Sequence, residues 1–184
     1  MTEQDTFDEG SGLALHDVME QAANQGVDFE AMETGEVATF SAIAARDASV
    51  GSQQVTIEKG PIYRYADYGL GTYLTEPYYI SYGSVRATAY CIQPAKPGPG
   101  SGTYTITKLA DNQDLAKVCY YGTDAAGAES YFANKHSDFS AGKRFILVHM
   151  AAAYAYGSSD AFYGTNATGQ ELAMDIYNYC VKKP

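Results

Sequence analysis

Hydrophobic positions change their period once along this chain. From about residue 54 to 92 they alternate in short runs: Gln54 to Ile57, Ile62 to Tyr65, Thr72 to Leu74, Tyr78 to Tyr82 and Ser84 to Ile92. These runs are dense in β-branched and aromatic residues, and turn residues such as Asp67 to Gly71 punctuate them, so they predict an antiparallel meander or half of a sandwich. In the last run the period of two places Val85, Ala87, Ala89 and Cys91 on one face, toward a core. Pro94 to Gly102 can neither extend a strand nor open a long helix. A short strand, Tyr104 to Thr107, follows that loop.

Beyond it the spacing becomes helical. Asp114 to Tyr121 predicts a helix stopped by Gly122, and 125–135 reads as helical or turn-rich. The longest helix is predicted from Ala141 to Tyr156, ending at Gly157. Phe145, His149, Ala152 and Tyr156 fall on one face of it, and Ile146, Met150 and Ala153 on a neighbouring one. A last helix is expected from Thr168, where Thr168 and Glu171 form a capping-box pattern before the stripe Leu172, Ile176, Tyr179. The fold class is therefore α+β, an antiparallel β-sandwich-like sheet region followed by a helical portion, with Cys91 at their junction. Residues 1–50 read as an acidic leader or linker with a short helix around Leu15, Val18, Met19, Ala22 and Ala23. Residues 51–184 read as the folded domain.

Composition narrows the function classes. Hydrophobic residues make up 46% of 184 residues, enough for a buried core. The net charge of −10, with 12 Lys and Arg in all, disfavours a nucleic-acid or anionic-lipid surface. No apolar run approaches the roughly 20 residues that cross a bilayer, and no secretory signal opens the chain. For a secreted parent, signal peptide and wall anchor would lie outside this sequence. There are 17 tyrosines and no tryptophan, which suits strands and half-wet surfaces. Three cysteines leave two readings open: Cys119 paired with Cys180 and Cys91 free, or three buried reduced thiols.

The candidate chemistry rests on Cys91 and His149. A cysteine and a histidine distant in sequence can form a nucleophile and its base, with Asp138 or Asp160 orienting the imidazole. The plain alternative is a core histidine beside a buried thiol. His16, His136 and His149 show no metal-ligand spacing with the cysteines, and Gly98 to Gly102 is followed by no Lys-Ser/Thr pair, so no metal and no cofactor is expected.

Three landmarks occur in order: Tyr90-Cys91-Ile92-Gln93-Pro94 with its Pro/Gly loop, Tyr120-Tyr121-Gly122, and Phe145 to Tyr154. Together they resemble the thioester domains of Gram-positive surface adhesins, over roughly Val55 to Val181. The resemblance implies an internal thioester, in which a cysteine sulfur is acylated by a glutamine side chain with loss of ammonia and then captured by an amine of a host protein. The family's helix motif, Thr-Gln-x-Ala-x-Trp, falls on Val148 to Ala153. His149 stands at the acyl-donor position and Ala153 at the tryptophan. The expectation is a cell-surface adhesin module, a pilus tip or part of a wall-anchored protein. It would bind a host or extracellular-matrix protein or a glycan, with Cys91 facing His149 and no Cys-Gln thioester. Gln93 is the nearest other carboxamide, but a ring to Cys91 would strain the strand. The alternative is a hydrolase or acyl transferase using a Cys91/His149 dyad.

Overall fold

The structure is a computed structural model and describes residues 53–106 and 112–184. The acidic stretch and its expected helix lie outside the described residues, as does the side chain of Val85. The strands are β1 Gln53–Lys59, β2 Tyr63–Arg64, β3 Leu74–Thr75, β4 Tyr78–Tyr82, β5 Val85–Ala89 and β6 Gly102–Ile106. Four of them form one antiparallel sheet in the order β5-β4-β1-β6, and β2 pairs with β3 as a separate ribbon. Strands come first and helices follow, as the change of period predicts.

The register decides which side chains are buried. Ile57 lies opposite Ile80 and Val55 opposite Tyr104. Val55, Ile57, Tyr78, Ile80, Ala87, Ala89 and Cys91 thereby share one buried cluster. The other face carries the exposed pair Arg86–Glu58 at 2.7 Å, which adds little stability in water. The strand expected over Ile62 to Tyr65 is cut short: Tyr65–Tyr68 is a 3₁₀ turn, closed by Gly69 in the left-handed conformation. Tertiary burial outweighs strand propensity there, because the turn takes Tyr65 wholly out of water.

Helices α1 Gln113–Tyr121, α2 Tyr131–Asn134, α3 Ala141–Tyr156 and α4 Ala167–Cys180 follow. Each is capped at its start by a side-chain oxygen: Asn112, Ser130, Ser140 and Asn166 accept from the third backbone N–H beyond them. The capping box expected at Thr168 does not form. Asn166 takes its place because the Asn166 backbone N–H also donates to the Leu70 carbonyl at 2.7 Å, a tertiary tie that the local sequence does not show. The two separate faces expected of α3 merge into one buried surface, since Phe145 to Ala153 are all buried. The helix packs on both α1 and α4, and a helix apolar all round belongs in a core. It ends at Gly157 in the left-handed conformation, with Ser158 N donating to Ala153 O at 3.0 Å.

The seam between the ribbon and the start of α4 depends on Gly71. Its φ is +143°, and a Cβ there would stand 2.1 Å from the Gly164 carbonyl oxygen. Gly71→Ala is expected to destabilise the fold by about 1–3 kcal/mol in denaturant unfolding, and an unchanged midpoint would show the seam to be soft.

Candidate functional site

Alternation at the exit of the sheet aims three successive side chains in two directions. Tyr90 and Ile92 belong to the helical core, whereas Cys91 between them belongs to the sheet cluster. The Tyr90 ring stacks on Phe145 of α3, centroids 5.0 Å apart. This contact holds the cysteine segment against that helix. One turn beyond Phe145, α3 presents His149, which is 1% exposed. Cys91 and His149 line the same cavity of about 200 Å³.

The cavity has two further walls. The ribbon supplies Tyr73, Leu74 and Thr75, with Ile62 just before it. Lys96, Pro97 and Gly98 of the proline-rich loop close the other side. That loop is tied down at both of its first residues: the Tyr73 hydroxyl donates to the Pro94 carbonyl, and Ala95 N–H donates to Asp160 Oδ2 at 2.8 Å. The Cys91 thiol donates to the Gln93 carbonyl at 3.4 Å, and Lys96 N–H donates to the same oxygen at 2.9 Å.

Hydroxyls, not a carboxylate, hold the imidazole. Thr75 Oγ1 lies 3.0 Å and the Tyr65 hydroxyl 3.4 Å from His149 Nδ1. Tyr65 is fully buried and burial pushes its phenol far up, so it keeps its proton. In the Nε2–H tautomer, Nδ1 accepts from both hydroxyls. The Cys91 carbonyl lies near enough to favour a charged ring, yet no acceptor completes a hydrogen bond with Nε2.

Burial also sets the charge state of both candidate residues. It pushes the Cys91 thiol up, outweighing the Gln93 main chain, which pulls it down, and the Asp160 carboxylate adds a small upward push. It pushes the His149 imidazole down to about 4, against the Cys91 main chain and Asp160. At neutral pH the cavity thus holds a thiol and a neutral imidazole, not a thiolate–imidazolium pair.

The orienting carboxylate expected from the sequence is Asp138 or Asp160. Asp160 instead accepts from Ala95 N–H and the Ser158 hydroxyl, which lower its pKa despite partial burial, and it acts on the site only through its charge. Asp138 has no place in the cavity lining. Sequence reasoning missed Thr75, Tyr65 and Lys96. All three come from segments without a motif, and only folding brings them to the cavity. Gln93 meets the sulfur through its main chain, while its side-chain Oε1 is buried without a partner. Cys119 and Cys180, free thiols like Cys91, sit together in the helical core, where burial pushes both up to about 12. Among the described residues, no group of three or more His, Cys, Asp or Glu could hold a metal ion.

The residues that build this cavity fall inside one recognisable span. A family model described as "thioester domain" matches residues 54–184. The chain belongs to the thioester-domain family. No curated protein and no solved structure matches it. The matched span of this thioester domain runs from β1 through α4, so it contains the sheet, the proline-rich loop beside the cavity and the helix that bears His149. Among its described residues, no helix is long and apolar enough to cross a membrane.

Proposed function

We propose that this thioester domain is a surface-attachment module of a Gram-positive wall-anchored protein or pilus tip, whose site works without an internal thioester. The observation that carries this reading is that His149 of α3 lines the same cavity as Cys91. At the cavity floor stands the imidazole of His149, which has no carboxamide to transfer to sulfur. The module would work outside the cell and attach to a host or extracellular-matrix protein through contacts made around the cavity, Cys91 remaining a free thiol. Family membership supports an adhesin-type role; the neutral state of both side chains supports non-covalent attachment.

The same observation weighs against a Cys91/His149 hydrolase or acyl transferase. A thiol held above its ordinary pKa supplies little thiolate, and an imidazole lowered to about 4 is a weak base. We therefore read the module as non-catalytic. Intact mass of the purified chain tests the first point: full mass is expected, and a chain short by one ammonia would refute the reading. His149→Gln is the informative companion, since it returns a carboxamide to the same helical position. Thiol titration against pH tests the second: Cys91 is expected to react no faster than an ordinary thiol at neutral pH, and an accelerated, His149-dependent reaction would favour the enzyme.

A further inference from the structure

His149, whose Nε2 is buried without a hydrogen-bond partner, lines a cavity whose mouth carries Ile62, Leu74 and Pro97 beside Glu76 and Lys96. Ile62 is 64% and Leu74 46% exposed, whereas His149 is 1% exposed, so the cavity runs from an exposed, partly apolar mouth to a buried imidazole. A buried donor without an acceptor is costly, and the natural remedy is an acceptor brought in by a ligand.

The charge around the cavity selects what kind of acceptor. Glu76 in the wall is paired with Lys59 at 2.6 Å, and Lys96 stands exposed at the mouth. At the floor the thiol and the imidazole are both neutral, so desolvating an anion onto the ring, away from the exposed Lys96, would be unfavourable. A neutral carbonyl oxygen meets no such cost. The path from rim to floor further calls for a slim stem with an apolar middle.

We propose that the cavity is a receptor for a neutral side-chain carboxamide of a protein partner, a glutamine by its reach, with its oxygen accepting from His149 Nε2–H and its methylenes lying against Ile62, Leu74 and Pro97. This rests on the reading that Cys91 stays a free thiol and adds the chemistry of the group recognised there. No covalent step is involved.

Cys91 reports on occupancy, because Cys119 and Cys180 are locked in the core. The full chain is alkylated in parallel with iodoacetamide, a carboxamide, and iodoacetate, its anionic counterpart, each rate divided by that for free cysteine. One hydrogen bond should favour the amide by about tenfold, and His149→Phe should abolish that preference. On the unaltered protein, acetamide and a doubly capped glutamine should slow the reaction competitively, while acetate and capped glutamate should not. A ratio equal to that of free cysteine, a preference that survives His149→Phe, or equal protection by acetate would overturn the proposal. Protection by N-acetylglucosamine without protection by capped glutamine would overturn it in favour of an acetamido sugar. A chain short by one ammonia would remove the thiol and refute the thioester-free reading of the site as well, whereas unselective alkylation of a full-mass chain would remove only the carboxamide receptor.

Discussion

Acidification from pH 6.5 to pH 4 is expected to cost this domain about 3 kcal/mol of folding stability through one residue. In the unfolded chain the His149 imidazole titrates near its ordinary 6.5, whereas in the fold burial lowers it to about 4. Between those values the unfolded state takes up a proton that the folded state refuses. Stability from this group is therefore complete above pH 6.5, falls as pH drops through the window, and is fully lost below about 4. At about 1.4 kcal/mol per pKa unit, the displacement gives the figure above. The Asp160 carboxylate is lowered from 3.8, so its own contribution disappears further down the scale and leaves the window to the histidine. Urea unfolding at closely spaced pH values measures the slope, and the same series on His149→Phe supplies the control. The variant starts lower, because Tyr65 and Thr75 lose their acceptor, but its midpoint should be flat between pH 6.5 and 4. Equal slopes in the two proteins would mean that His149 is not held neutral in the fold.

Phe132→Ala is expected to destabilise the domain by about 3–5 kcal/mol, the range for emptying an aromatic site in a packed core. Phe132 is 1% exposed and sits in α2, only four residues long, so tertiary contacts rather than local helix propensity hold it. Its ring meets Tyr131 edge-on at 5.2 Å, approaches Phe139 at 6.3 Å and lies 5.3 Å beneath the guanidinium carbon of Arg144. That guanidinium also binds Asp124 at 2.9 Å and the carbonyls of Phe139 and Ser137. Removing the ring therefore opens a cavity and withdraws one support from an Arg144 network that joins α3 to the 3₁₀ segment Asp124–Glu129. Phe132→Leu, which keeps most of the volume, should recover much of the loss. A cost under about 1 kcal/mol for the alanine variant would show that the surrounding rings collapse into the space.

Much of this architecture was legible in the residue order. The change from a period of two to helical spacing separated sheet from helices, and the alternation ending at Cys91 put that side chain in the sheet cluster with Ala87 and Ala89. The long helix Ala141–Tyr156 and its stop at Gly157 were also readable, because steric preference and hydrophobic spacing are local properties. The start of the last helix was not, since Asn166 is fixed as its cap through Leu70, far away in sequence. Nor was the burial of α3 on all sides, which depends on two other helices arriving against it.

The sequence by itself determined which groups are present: one thiol at the exit of the sheet and an imidazole on the alanine-rich helix. Only the tertiary structure decided their state. Exclusion of water by the surrounding core keeps the ring neutral, and two hydroxyls from distant segments, Tyr65 and Thr75, meet its Nδ1. Desolvation and hydrogen-bond geometry are properties of a place in space, so no spacing along the chain could have encoded them visibly.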